Sequence, residues 1–175
     1  MKNKIINISI ISHNQSNMVL NIVKDLRKYD FISKVYITIN TYENIKEIES
    51  IKNFPIEIII NKNPKGFGQN HNYAYTRSKC DYFIIINPDV RLKKLNFESL
   101  FSYFKLENIE LVTPVAVDEQ NNIQDNARKF PSLITPFIRK FGIARKDYLQ
   151  DLDEYTNVDW VSGMFMIIKS KIFEK

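Results

Sequence analysis

The sequence is poor in cysteine, glycine and proline, with one Cys, four Gly and six Pro among its 175 residues. The single thiol, Cys80, cannot form an internal disulfide or a cysteine-rich zinc site, which excludes disulfide-stapled scaffolds and zinc fingers. The scarcity of glycine and proline excludes collagen-like and Pro/Gly-rich disordered chains, and 12 Phe and 9 Tyr supply large core side chains. We therefore expect one compact domain over residues 1–175 in a reducing, cytoplasmic compartment.

Long apolar runs are also lacking. No stretch approaches the ~18 apolar residues that a membrane-spanning helix requires. Residues 5–11 follow a basic start, as in a signal peptide, but Asn7 and Ser9 interrupt the run and no small-residue cleavage site follows. We interpret this segment as a buried strand.

The net charge of +5 is concentrated in one window. Between residues 126 and 150, six basic residues accompany a single acidic one, Asp147, and apolar residues lie between them. This mixture fits a peripheral contact with an anionic membrane surface, and it equally fits an amphipathic helix packed on another part of the protein. The aromatic residues there form no RNA-binding motif, so we expect no nucleic-acid partner.

Short β-branched runs alternate with helical patterns, which predicts an α/β fold with a mostly parallel central sheet and helices on both faces. The predicted strands cover residues 5–11, 35–39, 56–60, 82–86, 111–117 and 160–168. The predicted helices begin after a Ser16 cap, near Gly68 and near Phe97, and the first carries an apolar stripe formed by Met18, Val19, Ile22, Val23 and Leu26. A last helix begins at Ser170, so we expect the domain to continue beyond Lys175.

The segment 61–72 has the densest cluster of polar and glycine residues. Gly66 and Gly68 would allow a close approach of the backbone, and the helix that follows would direct N–H groups at a phosphate or diphosphate. The side chains of Asn63, Asn70, His71 and Asn72 could bind a sugar or nucleotide. An ordinary strand-to-helix turn capped by asparagine is an equally good interpretation.

The strand 82–86 ends in Asn87-Pro88-Asp89. Ligands of open α/β sheets bind outside the carboxyl ends of the strands, and the Asp89 carboxylate is a hard ligand suited to Mg²⁺ or Mn²⁺. A simple Asn-Pro-Asp turn is the alternative. Of the two histidines, we favour His71 for ligand contact because it lies in the glycine loop, and we interpret His13 as a hydrogen-bonded structural residue.

Five segments in order resemble family-2 glycosyltransferases of the GT-A (Rossmann-like) fold, and most closely the rhamnosyltransferase-like branch of bacterial surface-polysaccharide biosynthesis. They are the first strand ending at Asn14, the loop 66–72, Asn87-Pro88-Asp89-Val90, the segment with Pro114, Asp118 and Arg128-Lys129-Phe130-Pro131-Ser132, and residues 158–166.

The resemblance implies a role for each matching residue. Asp89 would bind the divalent ion that bridges the donor diphosphate, with Asn87 nearby. The donor-binding set would comprise Asn14, Asn40, Gly66, Phe67, Gly68, Asn70, His71, Asn72 and Asn87. Trp160, Ser162 and Gly163 would line the sugar and acceptor side, although Trp160 could equally be a core residue.

Two departures from the family pattern accompany this resemblance. The second strand ends in Asn40 where the family usually has an aspartate that contacts the nucleotide, so recognition there would be neutral and weaker. The family's general base belongs to a Glu-Asp motif that we expect beyond Lys175. Without it, proton transfer from the acceptor loses a factor of order 10² to 10⁴ in rate.

The expected function is therefore inverting transfer of a sugar from a dTDP- or UDP-sugar to a saccharide or lipid-linked acceptor at the cytoplasmic face of the membrane. The alternative is a non-catalytic nucleotide-sugar-binding or interaction protein that lacks the base.

Overall fold

The computed structural model describes residues 4–93, 95–128 and 155–173. These residues divide into a main unit (residues 1–113 and 163–175) and a second unit (residues 114–162). The helices and strands of the main unit are β1 (Ile6–Ser12), α1 (Ser16–Leu26), β2 (Lys34–Ile39), α2 (Lys46–Glu49), β3 (Ile56–Ile60), α3 (Phe67–Thr76), β4 (Tyr82–Ile86), α4 (Phe97–Ser102), β5 (Leu111–Val112) and β8 (Phe165–Lys169). The second unit contains β6 (Ala127–Arg128) and β7 (Trp160–Val161).

A six-stranded sheet in the order β3-β2-β1-β4-β8-β5 forms the centre of the main unit. The four strands β3, β2, β1 and β4 are parallel, whereas β8 is antiparallel to both β4 and β5. The fold is thus the expected α/β architecture with a mostly parallel sheet. In the second unit, β6 and β7 form an antiparallel pair.

Helices cover both faces of the sheet because the parallel strands are apolar on both sides. In β4, Ile84 and Ile86 belong to the apolar cluster that includes α1, and Phe83 and Ile85 belong to a separate cluster that includes Ala74 of α3. This alternation follows from the two-residue period of a strand. The site at the end of the strands is therefore built on a sheet packed on both faces.

Three elements differ from the sequence expectations. The strand predicted over 111–117 ends at Val112, and Pro114, which has no N–H to donate, follows shortly after that end. The strand predicted over 160–168 is two strands, β7 and β8, which belong to different sheets. Met18 was expected on the buried stripe of α1, but it is 44% exposed.

The N-terminus of α1 is capped by a residue distant in sequence. Ser16 is the first helical residue and not the cap, and Gln15 at the cap makes no side-chain capping bond. The backbone N–H of Ser16 instead donates to Glu43 Oε2 at 2.8 Å. A carboxylate at this end also interacts favourably with the helix dipole.

Two of the sequence expectations concern membranes: the lack of a membrane-spanning helix and the basic segment at residues 126–150. No helix in the described part of the chain is long and apolar enough to cross a bilayer. The basic and apolar segment lies, from residue 129 onwards, outside the described residues.

The buried carboxylate of Asp25 joins α1 to the segment that follows β4. It accepts hydrogen bonds from Arg91 Nε at 2.8 Å, from the Leu92 backbone N–H at 3.2 Å and from Lys28 Nζ at 3.3 Å. The hydrogen bond from Arg91 is the main reason that the pKa of Asp25 is lowered to about 2. Asp25 thus holds the backbone just after Asn87-Pro88-Asp89 against α1.

We expect Asp25→Asn to lower the free energy of unfolding by about 2 kcal/mol near neutral pH, because one unit of pKa shift corresponds to about 1.4 kcal/mol. The folded-state pKa is depressed, so this stabilisation is fully present above about pH 4 and is lost as the pH falls towards 2. Urea unfolding of wild type and variant across this range measures the difference. The exposed Asp30→Asn is the control, and a difference that does not shrink at low pH would contradict the assignment.

Candidate functional site

Polar side chains follow directly after each of the four parallel strands. His13 follows β1, Asn40 follows β2, Asn61 follows β3 and Asn87 follows β4. The carboxyl ends of parallel strands meet at one edge of the sheet, so the topology collects these residues there. The chain order reverses between β1 and β4, which is the switch point where open α/β sheets bind ligands.

A cavity of about 260 Å³ lies at this switch point. Its polar and apolar lining residues come from the ends of the strands and from the β3–α3 loop. They are Ile11, His13, Gln15, Asn40, Lys65, Phe67, Asn70, Asn87, Pro88 and Asp89. The structure thus brings together Asn40, Phe67, Asn70, Asn87 and Asp89 of the residues that the sequence predicts.

One wall of the cavity is a network of amide groups centred on Asn40. Its Oδ1 accepts from the Lys65 backbone N–H at 2.9 Å, from Asn61 Nδ2 at 2.8 Å and from Asn70 Nδ2 at 3.1 Å. Asn70 also donates to the Lys65 carbonyl at 3.1 Å, and its own Oδ1 accepts from Asn61 Nδ2 at 2.7 Å. The network fastens the β3–α3 loop to the end of β2.

The role of Asn40 differs from the sequence expectation. Its Nδ2 donates to the Lys65 carbonyl at 3.1 Å and faces His13 Nδ1 at 3.2 Å, and the residue is 6% exposed. The donor and acceptor groups of its amide are all used within the protein. Asn40 therefore supports the cavity wall. Its side chain has no unused polar group with which to recognise a base or a ribose.

Phe67, the first residue of α3, lies between His71 and Gly163. Its ring meets the His71 ring edge-on, with 4.4 Å between centroids. A Cβ atom added to Gly163 would lie 2.6 Å from Phe67 Cζ and 2.8 Å from Cε1, which is too close. The absence of a side chain at Gly163 therefore makes room for the aromatic ring on the cavity wall.

His71 lies beneath the site and not on its surface. It is 1% exposed, and its Nδ1 is 2.8 Å from Ser9 Oγ of β1. Burial lowers the pKa of His71 to about 4, because the charged ring would lose its hydration. The donor contact expected of His71 is therefore corrected to a packing role behind Phe67.

Asp89 projects an exposed carboxylate into the same cavity as Asn87. The Asn87 backbone N–H donates to the Met164 carbonyl at 2.8 Å, and Val90 N–H closes a turn onto the Asn87 carbonyl at 3.2 Å. The described residues contain no cluster of three or more potential metal-ligating His, Cys, Asp or Glu. One exposed carboxylate fits a Mg²⁺ or Mn²⁺ ion that takes its other ligands from phosphate and water, and does not fit an ion held by protein alone.

The other predicted residues are not among those that line the cavity. Asn14 is exposed and turns the chain from β1 to α1 with a positive φ of 61°, which asparagine tolerates. Gly66, Gly68 and Asn72 are exposed around the start of α3. In the second unit, Trp160 is 45% exposed, with the Arg128 guanidinium 5.8 Å from its ring centre.

Ser162 also belongs to the second unit. Its backbone N–H donates to the Asn126 carbonyl at 2.8 Å, and its buried Oγ has no hydrogen-bond partner among the described residues.

Sequence reasoning missed three polar residues of the cavity: His13, Gln15 and Lys65. A polar residue directly after a predicted parallel strand is a signal that could have identified His13. The contribution of Lys65 rests largely on its backbone groups, which no side-chain pattern reveals.

Comparisons with known proteins bear on the family and the fold. The sequence profile of Glycosyl transferase family 2 matches residues 8–175. No curated protein matches the chain in a sequence search.

Solved structures resemble the chain closely in fold and weakly in sequence. A mannosyltransferase from Pyrobaculum calidifontis in complex with GDP-Man and Mn²⁺ has a TM-score of 0.65 at 9% identity, covering 98% of this chain and 46% of its own. TarS 1–349 from S. aureus has a TM-score of 0.64 at 11% identity, with coverage of 97% and 48%. Glucosyl-3-phosphoglycerate synthase from Mycobacterium tuberculosis in complex with UDP has a TM-score of 0.58 at 12% identity. The match covers 97% of this chain and 58% of the synthase chain.

These likenesses establish the GT-A, Rossmann-like fold. The chain spans about half the length of the first two structures that it matches.

Replacing His71 is expected to change how stability depends on pH. The pKa of His71 is lower in the folded protein than in the unfolded chain. The stabilisation by the neutral ring is therefore complete above about pH 6.5. By pH 4 the free energy of unfolding has decreased by on the order of 3 kcal/mol. His71→Asn keeps a group that can bond Ser9 Oγ but does not titrate. Unfolding free energies between these pH values should therefore fall less steeply for the variant. His13→Asn is the control, and equal slopes in wild type and His71→Asn would contradict this prediction.

Gly163→Ala is expected to displace the Phe67 ring and to cost about 1 kcal/mol of stability, because the added methyl overpacks the contact. In a Phe67→Ala background the same substitution should cost almost nothing, since the ring that it meets is gone. A double-mutant cycle by urea unfolding measures this coupling. Additive costs of the two substitutions would show that Gly163 does not constrain Phe67.

Proposed function

The chain belongs to glycosyl transferase family 2, and on this premise we propose that it binds a nucleotide-diphosphate sugar in the cavity at the switch point and serves its transfer to a saccharide or lipid-linked acceptor. The observation that carries the proposal is the meeting of Asp89, Asn87 and the β3–α3 loop around one cavity. In open α/β folds this is the place where nucleotides bind.

The donor diphosphate is proposed to lie between Asp89 and the N-terminus of α3. The helix begins at Phe67 on the cavity wall, and the unpaired N–H groups of its first turn favour an anion. Asp89 and Asn87 would hold Mg²⁺ or Mn²⁺ together with the diphosphate. When bound, such an ion supplies Lewis-acid stabilisation of the departing nucleoside diphosphate.

The similar structures support a nucleotide-sugar ligand. One was solved with GDP-Man and Mn²⁺ and another with UDP, and each is a transferase or synthase by its name. We propose a dTDP- or UDP-sugar as donor for this chain, inverting direct displacement as the reaction, and surface-polysaccharide synthesis on the cytoplasmic side of the membrane as its setting, in line with the rhamnosyltransferase-like motifs.

The alternative of binding without transfer rests on one observation. Among the described residues that line the cavity, Asp89 is the single carboxylate, and the metal role already engages it. A base for the acceptor hydroxyl would have to come from elsewhere in the protein. Donor binding is thus the step for which the described residues provide the groups.

We expect UDP or dTDP, with Mg²⁺ or Mn²⁺, to raise the free energy of unfolding by about 2.7 kcal/mol at roughly 100 times the dissociation constant. Asp89→Asn keeps the size of the side chain but removes its charge, so the metal-dependent part of this stabilisation should disappear. Thermal unfolding with and without metal, together with calorimetric titration, measures both effects.

Asp30→Asn is the matched control for Asp89→Asn. Asp30 is an exposed aspartate that precedes β2, at the edge of the sheet opposite the cavity. It should leave nucleotide and metal binding unchanged. A folded wild-type protein that binds no nucleoside diphosphate, with or without metal, would refute the proposed function.

A further inference from the structure

The orientation of the Asn40 amide is fixed by backbone groups. The Lys65 N–H is 2.9 Å from Oδ1, and the Lys65 carbonyl oxygen is 3.1 Å from Nδ2. A backbone N–H can only donate and a carbonyl can only accept, so these two contacts distinguish the oxygen end of the amide from its nitrogen end. The reversed amide would place two donors together and two acceptors together.

This orientation determines the tautomer of His13. Asn40 Nδ2, a donor, faces His13 Nδ1 at 3.2 Å, so Nδ1 must be the acceptor. A neutral imidazole has one N–H and one lone-pair nitrogen, and the bond made by one nitrogen decides the state of the other. The proton of neutral His13 therefore resides on Nε2.

The ring of His13 is exposed and lines the cavity. Its Nε2 has no hydrogen-bond partner among the described residues, whereas the neighbouring amides of Asn40, Asn61 and Asn70 are engaged with one another and with Lys65. On the wall formed by the ends of β1 and β2, the Nε2–H of His13 is thus the donor that remains for a ligand.

We propose that His13 is a specificity-determining residue of the nucleotide site, which presents a ring N–H to the carbonyl oxygen at C4 of a uracil or thymine base, and that Asn40 acts behind it as the positioning residue that sets its tautomer. This inference rests on the proposed function. A site with an aspartate at residue 40 would present an acceptor, because a carboxylate accepts hydrogen bonds and would select an N–H group of the base. With Asn40 and His13 the site presents a donor instead.

The proposal predicts a preference for uracil and thymine over cytosine. At C4 of the ring, uracil and thymine carry a carbonyl oxygen, where cytosine carries an amino group that cannot accept from His13. A site built around a donor discriminates against a ligand that leaves the donor unpaired. UDP should therefore bind about tenfold more tightly than CDP, which corresponds to one hydrogen bond.

The tautomer is tested first, without any ligand. Long-range ¹H–¹⁵N spectra of the folded protein at mildly alkaline pH, with His13 identified by its absence in His13→Asn, report which ring nitrogen carries the proton. We expect a protonated Nε2 and a bare Nδ1 in the wild type. In Asn40→Asp the carboxylate accepts from the ring, so the proton should move to Nδ1. A wild-type ring protonated on Nδ1 would overturn the proposal.

Selectivity is tested next by calorimetric titration of UDP and CDP with Mg²⁺. His13→Gln keeps a terminal N–H₂ donor near the place of Nε2, and His13→Asn keeps only the group near Nδ1. The ratio of UDP to CDP affinity should remain about tenfold in His13→Gln and approach one in His13→Asn. The ratio is the readout because general weakening of the site, from lost stability, would affect both nucleotides alike.

The outcomes separate this inference from the proposed function. Binding of UDP and CDP with a ratio that His13→Asn leaves unchanged would overturn the role of His13 while the nucleotide site stands. Failure of every nucleoside diphosphate to bind the folded wild type would overturn both. A ratio that is lost in His13→Asn, kept in His13→Gln and reduced in Asn40→Asp would establish His13 as the selecting residue and Asn40 as its positioning residue.

Discussion

The side-chain amide of Asn40 is the interaction on which the cavity depends. Buried polar groups are costly unless hydrogen-bonded, and this residue meets that requirement by bonding to both backbone groups of Lys65 and to two further asparagines. The β3–α3 loop has little apolar surface with which to pack, so these bonds define its path. The start of α3, and with it Phe67, takes its place from that path.

Two carboxylates give α1 a similar supporting role. Glu43, from the segment after β2, binds the first N–H of the helix, and Asp25 near its other end binds Arg91 and Leu92 beyond β4. The helix thus connects the segments that follow two different strands. Asp89 lies two residues before Arg91, so a contact outside the cavity helps to place a side chain inside it.

The sequence predicts the fold well, and five of the residues that it singles out line one cavity, but it does not reveal how the side chains of that cavity bond to one another. β2, β3 and β4 follow from runs of β-branched and aromatic residues, and the Asn-Pro-Asp segment follows from its place after a buried strand. That His71 is buried while His13 lines the cavity could not be read from chain order, because it depends on which face of α3 packs on β1. Ala74, three residues after His71 and also buried, marks that face. The amide network joins residues up to 30 positions apart, and short-range patterns do not reveal such partners.

The antiparallel strand β8 lies beside β4, although about 80 residues separate them along the chain. The described residues that line the cavity all precede Val90, so the ribosome completes them long before it makes β8. During that interval, β4 is the outer strand of a nascent sheet, with a row of unpaired backbone groups open to pairing with other chains. The pairing of β4 with β8 closes this edge only when the late strand has been made.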